Sequence, residues 1–484
     1  MSAGIYALRS GFEATICEQH SMAGGMCTSW RRKGYLIEGA VHWLTGSSPK
    51  SALYQLWKET GALNENTPVL LPEVFNVMEW EGKNINLYRY IEKTAKEFYA
   101  ISPGDKRLIR RLVKDVKAFV YFQMPVVHIK GVKTQNPRRM KIGAILGMLP
   151  ALPRLVKLNK ISCRDYAMQF SHHGIQTLLR IVPDEYSAVS LVGTLATLDI
   201  GDGAYPKGGS LAIVERMVKT FEGLGGKLLL NTAVKKVNVE QGVSAAAAGN
   251  IATGVRLENG TVLNADAVIV AAETIAALER LFDTPPDDSW LSKLCRNTKS
   301  SACTFIGVGI RANLPDPLPG WILAEPIKYA GMTETYIRFN NYCNYEAYAP
   351  EGCTVLTTAL MGDTWEFWKK AQTDGRYEEE KQALADQISR VICQKYPQAE
   401  GKIEVMDIAT PLTYERYTGA YHGSWMSITG AGDKMQMYPG DSKNVSGLYF
   451  AGHRLIPPGG LPVALYTGFA AAQMACRQFG LVFI

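Results

Sequence analysis

The chain has 484 residues, 47% of them apolar and 20% charged, with a net charge of +7: the balance of a soluble globular protein with a large core and room for two or three domains. No run reaches the roughly 18 consecutive apolar residues of a membrane-spanning helix, and residues 1–12 lack the basic-then-apolar pattern of a secretory signal. The nine cysteines stand singly, with no C-x-x-C pair, which argues against zinc and thioredoxin-like chemistry and for reduced thiols in a cytoplasm.

Residues 1–10 read as an Ala/Gly-rich helix whose small residues Ala3, Gly4 and Ala7 suit close packing on a sheet, and Gly11 ends it. Residues 13–18 read as a strand that closes on Glu18. A helix, a tight turn and a strand ending in an acid form the second half of a dinucleotide-binding βαβ unit; no opening strand and no G-x-G-x-x-G stand before Ser2. Leu53, Leu56 and Trp57 mark a helix over 51–63, closed by Gly61. Strands at 68–80 and 84–88 flank the turn Glu81-Gly82-Lys83. From 91 to 200 the pattern is mostly helical, broken at Pro125, Pro150, Pro153 and Pro183. An amphipathic helix over 211–224 leads to strands at 227–231, 234–239 and 251–257, and Asn259-Gly260 turns the chain into a strand over 261–271. The Ala-rich tract 244–249 is a loop. Residues 300–360 alternate as strands, 376–396 form a charged surface helix and 463–478 an Ala-rich helix.

Three segments carry chemistry. In dinucleotide folds an acid placed as Glu18 is accepts hydrogen bonds from the adenosine ribose, and Gly24 and Gly25 let backbone approach a ligand. Gly208 and Gly209, at the start of the 211–224 helix, do the same for a ring or phosphate. The run Gly447-Leu448-Tyr449-Phe450-Ala451-Gly452-His453, then Gly459-Gly460-Leu461-Pro462, is a strand, a glycine loop and a helix N-terminus. Such an N-terminus stabilises a partial negative charge, as on the N1–C2=O edge of a reduced flavin.

With these motifs in this order the whole chain resembles the phytoene desaturase, carotenoid isomerase and retinol saturase group of FAD-dependent oxidoreductases, relatives of monoamine oxidase. The resemblance implies an α/β fold. Its FAD-binding Rossmann-like domain, of the monoamine oxidase and glutathione reductase type, would take 1–90, 205–290 and 411–484 without its first strand and glycine loop. An interleaved α+β substrate domain would take 91–204 and 291–410. The resemblance places Glu18 on the adenosine ribose, Gly24 and Gly25 with the adjoining Met26 along the pyrophosphate and ribityl chain, and the Val234 backbone at the adenine. Ala271 and Ala272 pass beside the cofactor; Gly452, His453, Gly460, Leu461 and Pro462 face the ribityl and flavin. It implies hydride transfer between flavin and a C–C bond of an isoprenoid or similar lipid, as desaturation, saturation or isomerisation. An amine or other small-molecule oxidase on the same fold, and a flavin-free lipid-binding protein, remain the alternatives.

Two positions depart from the pattern: Met26 stands where many relatives carry Arg, and His453 where many carry Asp. An imidazole cannot accept hydroxyl protons as a carboxylate does, although neutral His accepts at one nitrogen. His42 falls at a position expected near the flavin face and is the one candidate catalytic side chain, with core packing as its other role. His172 and His173 have no acid or Cys at ligand spacing, so no metal is expected. Without the opening strand and loop, the chain as given is expected to bind FAD poorly and to aggregate; about 15 to 20 added residues carrying both should restore colour and solubility.

Between Ile129 and Arg164 stand Lys130, Lys133, Arg138, Arg139, Lys141, Arg154, Lys157, Lys160 and Arg164 without an acid, around the apolar run 142–153. Cations flanking an apolar segment too short to span suit an anionic membrane surface; a solvated basic face over a buried helix is the alternative. No stacking motif accompanies the charges, so nucleic acid is not expected. The expected partners are a hydrophobic small molecule and, through 129–164, the inner face of a membrane.

Overall fold

A computed structural model of the protein describes residues 1–135, 137–138, 142–242 and 249–484. Residues 244–248 of the Ala-rich tract, and Arg139 and Lys141 of the basic stretch, lie outside the described residues.

Helix Ser2–Arg9 uses its small face as the sequence suggests. A side chain on Gly468 of helix Leu461–Phe479 would stand 2.8 Å from Ala3 N, and Ser2 Oγ donates to the Leu465 carbonyl at 2.7 Å. On its other side a Cβ on Gly4 would meet Phe221 of helix Gly209–Gly223 at 2.7 Å and Ile16 at 3.1 Å. This close approach seats the helix between two others and the strand Thr15–Cys17. That strand runs parallel to Lys227–Leu229, with Thr15 opposite Lys227 and Cys17 opposite Leu229. A second parallel pair joins Val268–Val270 to Leu448–Phe450 and is not hydrogen-bonded to the first. An antiparallel meander of Val234–Gln241, Asn250–Leu257 and Val262–Asn264 lies between them in sequence. Parallel strands under helices, with such an insertion, form an α/β nucleotide-binding layer.

Alternation alone predicts one strand over 261–271, but the chain makes two. Val262–Asn264 completes the hairpin, and Val268–Val270 turns away to the other sheet. A polar break at Asp266 divides a run of strand formers between two partners, which a period of two does not reveal. The helix expected over 51–63 is also shorter, at Tyr54–Glu59, with Gly61 just beyond it at φ +76°.

A second sheet is antiparallel, with Cys303–Ile310 between Thr354–Met361 and Ile403–Ala409. Every residue of Cys303–Ile310 is buried, as a strand covered on both faces must be. On one face a Cβ on Gly307 would lie 2.6 Å from Ile37, and one on Gly309 would lie 2.7 Å from Tyr35. On the other, Ile306, Val308 and Ile310 pack with Leu384, Ile388 and Ile392 of helix Tyr377–Lys395. The glycines thus let strand Tyr35–Glu38 of the nucleotide layer press on this sheet.

The remaining lobe is helical. Helices Ile91–Ile101, Lys106–Phe119 and Ala188–Asp199 bury Phe98, Ile109, Leu112, Val116 and Leu195 against the hairpin Val74–Trp80/Lys83–Tyr88. Its turn holds Glu81 and Gly82 both at positive φ, the geometry that matches strand twist. After this lobe begins, the chain returns to the nucleotide layer: Lys133–Thr134 pairs with Val482–Phe483, and Ile129 N donates to Gln473 Oε1 at 2.8 Å. Among the described residues no helix is long and apolar enough to cross a membrane.

Candidate functional site

Glu18 ends strand Thr15–Cys17, where Glu18 N donates to the Leu229 carbonyl at 2.9 Å. Its Oε1 accepts from His20 N at 2.9 Å, which fixes the carboxylate at the strand end. Thr232 N donates to the Glu18 carbonyl at 2.8 Å, two residues before Val234 opens its strand. Glu18 and Val234 therefore share one end of the layer.

Gly24 and Gly25 follow at φ +117° and +58°, backbone that L side chains avoid. A Cβ on Gly24 would lie 2.7 Å from Val214 on helix Gly209–Gly223, so Gly24 is a packing position. Nothing stands within 4 Å of a Cβ on Gly25, so its backbone borders open space. Met26 is partly buried against the core of this layer, and its carbonyl accepts from Thr28 N at 3.0 Å.

The second parallel pair leads into Ala271, Ala272, Gly452 and His453. Ala451 N donates to the Val270 carbonyl at 2.9 Å; the first neighbour of a Cβ on Gly452 is the Ala272 carbonyl oxygen, 4.0 Å away. Gly452 is held at φ +144° and its N donates to Thr467 Oγ1 at 2.9 Å. Ala271 and Ala272 are exposed. Gly460 caps helix Leu461–Phe479 at φ +94°, with Pro462 in the first turn and no side-chain cap. That helix N-terminus is available to a negative charge on a ligand.

His453 Nδ1 is shut off from solvent and has no hydrogen-bond partner among the described residues. Burial, with the Arg454 guanidinium adding to it, pushes the imidazole down to about 3, so it is neutral. Gly459 makes way for this ring: a Cβ there would be 2.8 Å from His453 Nδ1. A neutral, unsatisfied imidazole fits a hydroxyl-bearing chain, because it can donate at one nitrogen and accept at the other. These residues fit a flavin dinucleotide.

Two clusters escaped the sequence reading. Arg454, only 1% exposed, pairs with Glu273 at 2.7 Å. It also donates to the Met426 carbonyl at 3.1 Å, to Ser427 Oγ at 2.9 Å and to Ser424 Oγ. Glu273 Oε2 in turn accepts from Ala276 N at 2.8 Å. This buried pair ties the segment after Gly452 to the one after Ala272. Its signal in the sequence is the charged residue directly after each motif, Arg454 after His453 and Glu273 after Ala272.

The second cluster corrects the expectation for Gly209; a Cβ on Gly208 would instead meet Ala212 at 2.5 Å. Glu38 is fully buried and accepts from Ala40 N and Val41 N at 3.1 Å, Ser210 N at 3.0 Å, Tyr205 Oη at 2.8 Å and Ser210 Oγ. A Cβ on Gly209 would lie 2.0 Å from Glu38 Oε2. The glycine makes room for an internal carboxylate, not for a ligand, and that carboxylate occupies the helix N-terminus. Burial and the Glu38 charge push Tyr205 and Tyr348 far above the ordinary phenol range.

His42 is half-buried. Asn340 Nδ2 lies 3.1 Å from His42 Nδ1, and burial, followed by the Arg338 guanidinium, pushes its imidazole down to about 4. No carboxylate among the described residues touches it. His42 stands in a wall of rings: Trp43 at 6.4 Å and Trp425 at 6.5 Å, then Phe75 at 5.5 Å from Trp43, and Phe305 at 5.7 Å and Tyr414 at 5.6 Å from Trp425. These rings come from the nucleotide layer, the hairpin and the second sheet, so the wall exists only in the folded chain. Phe305 and Tyr414 are buried behind it, and the half-buried faces of Trp43, Phe75 and Trp425 offer an apolar ligand large contact area.

The family model described as flavin containing amine oxidoreductase matches residues 1–476. A phytoene desaturase (lycopene-forming) of Paracoccus sp. is 24% identical over 96% of this chain and 93% of its own. An all-trans-retinol 13,14-reductase of Danio rerio is 20% identical over 87% of this chain and 75% of its own. Among solved structures, wild-type putrescine oxidase bound to putrescine superposes with a TM-score of 0.57 at 17% identity, over 99% of this chain and 96% of that one.

Proposed function

Since the chain belongs to the family of flavin-containing amine oxidoreductases and is an FAD-dependent oxidoreductase, we propose that it acts on C–C bonds of an extended isoprenoid. The observation that carries this reading is the end-to-end similarity to a phytoene desaturase. The retinol reductase is a second relative named for a polyene substrate. FAD supplies hydride acceptance or donation at the substrate carbon.

The chain's own residues would act by holding and enclosing. Glu18 would take the adenosine ribose and the Val234 backbone the adenine. Gly24, Gly25 and Met26 would border the pyrophosphate and ribityl chain. Ala271, Ala272, Gly452, His453, Gly460, Leu461 and Pro462 would line the ribityl and flavin side, with neutral His453 exchanging hydrogen bonds with a hydroxyl. The uncapped helix N-terminus at Gly460 would stabilise negative charge on the reduced ring system. The rings around His42 would orient an apolar chain and keep water out. His42, neutral and beside Asn340, is better suited to shaping that wall than to taking a proton.

Likeness to putrescine oxidase favours a second reading, an amine oxidase. Against it, the charge acting on His42 is the Arg338 cation, which would repel an ammonium group, and among the described residues no carboxylate touches His42 to receive one. The test supplies FAD-loaded protein with phytoene in lipid vesicles, or with putrescine, and follows products by chromatography and absorbance. A change in the number or geometry of conjugated double bonds is expected from the polyene and none from the diamine. Amine turnover without polyene turnover would replace this reading by the second.

A further inference from the structure

From Lys106 to Arg164 the sequence holds 15 Lys and Arg and a single acid, Asp115. The structure sorts these charges. Arg138 turns inward, pairing with Glu59 and standing over the Phe469 ring at 5.5 Å. Lys117 is paired with Asp199 and Glu92, and Arg154 with Asp115. Arg107, Arg110, Arg111 and Lys114 recur at the spacing of one helix face on Lys106–Phe119. They line a shallow groove of about 290 Å³ with Leu108. Among the described residues none of these four forms an ion pair.

The same region carries an unpartnered apolar ridge. Ile142 is 76% exposed, Leu146 and Val156 are 59% exposed, and Ile145, Leu149 and Leu152 are exposed beside them. They belong to the short helices Ile142–Met148 and Leu152–Leu158 and the turn between them. Tyr121, at the end of helix Lys106–Phe119, is 64% exposed; a Cβ on Gly147 would lie 3.1 Å from its Cβ, so ridge and helix are in contact. The Arg154–Asp115 pair at 3.1 Å ties the second short helix to the basic one. Lys157 and Lys160 stand exposed beside Val156. Exposed aliphatic side chains on consecutive turns, flanked by unpaired cations, are not accounted for by a solvated basic face over a buried helix.

We propose that this face docks on an anionic phospholipid surface. Ile142, Ile145, Leu146, Leu149, Leu152 and Val156 enter the acyl boundary, and the exposed Arg107, Arg110, Lys114, Lys157 and Lys160 meet the phosphates, while Arg111 is held by Gln169 at 2.6 Å and over the Tyr166 ring. The occupant is chosen by charge complementarity: the ridge is framed by cations of one sign, whereas a second copy of this face would set like charges against each other. The proposal does not depend on which substrate the flavin site takes.

The experiment is vesicle flotation of the FAD-loaded full chain with phosphatidylglycerol/phosphatidylcholine vesicles and with phosphatidylcholine alone. Two triple variants accompany it, Arg107→Ser/Arg110→Ser/Lys114→Ser and Ile142→Ser/Leu146→Ser/Val156→Ser. Unchanged flavin absorbance and unfolding midpoint confirm that both are folded, as exposed positions allow. The parent is expected to float with anionic vesicles, less so at high salt, and weakly with neutral ones. The charge variant should bind anionic vesicles about tenfold less, as three cations near such a surface imply after screening. The apolar variant should lose salt-resistant retention. Failure of the parent to float, or equal flotation by parent and variants, overturns the proposal. So does a dimer in sedimentation that the apolar variant converts to monomer, because the ridge would then cover itself.

Discussion

Gly24-Gly25 and Gly208-Gly209 are the same dipeptide with positive φ at all four residues, yet they do opposite things. Beyond Gly25 a side chain would find open space. Beyond Gly209 it would find the Glu38 carboxylate and the hydroxyls of Tyr205 and Tyr348, all within 2.3 Å of its Cβ. In the first pair Gly25 leaves backbone open to a ligand, while Gly24 packs on Val214. The other clears room for a buried acid that satisfies a helix N-terminus from within. A glycine pair therefore states that a side chain is unwelcome, and only its neighbours say whether ligand or protein fills the space.

Substitutions at the two pairs should separate these roles. The largest loss of stability is expected at Gly209→Ala, where a Cβ must displace a fully hydrogen-bonded buried carboxylate: about 3 kcal/mol in urea unfolding. A loss under about 1 kcal/mol would mean that the Glu38 cluster yields easily. Glu38→Ala should follow at about 2 kcal/mol, since Ser210 N and Val41 N lose a buried acceptor; an unchanged midpoint would show that water replaces it.

The two histidines should add a term that depends on pH. Folding holds His42 and His453 below the ordinary imidazole value, near 4 and 3, so the unfolded chain binds protons first as pH falls. Their stabilisation is complete above about pH 6.5 and is lost progressively toward those lower values, at about 1 kcal/mol per pH unit for each. His453→Gln should flatten the slope; an unaltered slope would place the titration elsewhere. The smallest effect on the fold is expected at Gly25→Ala, about 1 kcal/mol from its positive φ, but with clear loss of bound flavin. Gly460→Val should likewise abolish the yellow colour of a protein that still unfolds cooperatively. Full flavin occupancy in both would detach these glycines from the cofactor.

Much of this layer was legible because local sequence sets it. The small face of Ser2–Arg9, the acid after Cys17 and the Ala-rich helix Leu461–Phe479 each follow from spacing alone. The relation of Glu38 to Tyr205 and Tyr348 was not, because residues so far apart in the chain leave no periodic trace of their contact. The division of 261–271 between two sheets was hidden for a related reason: strand propensity does not name the partner. Charge counting found the basic stretch but not its sorting, in which Arg138 turns inward and helix Lys106–Phe119 supplies the free cations.

The central claim is that this flavin site serves an apolar C–C substrate. Its most direct test is anaerobic mixing of the oxidised, FAD-loaded protein with a polyene precursor in vesicles, and separately with putrescine, while watching the flavin absorbance. If the chain desaturates, the polyene should bleach the flavin and the diamine leave it yellow. If it saturates or isomerises, the chemically reduced flavin should be reoxidised by, or catalyse rearrangement of, the polyene alone. Bleaching by the diamine, with the polyene inert toward both flavin states, would contradict the account.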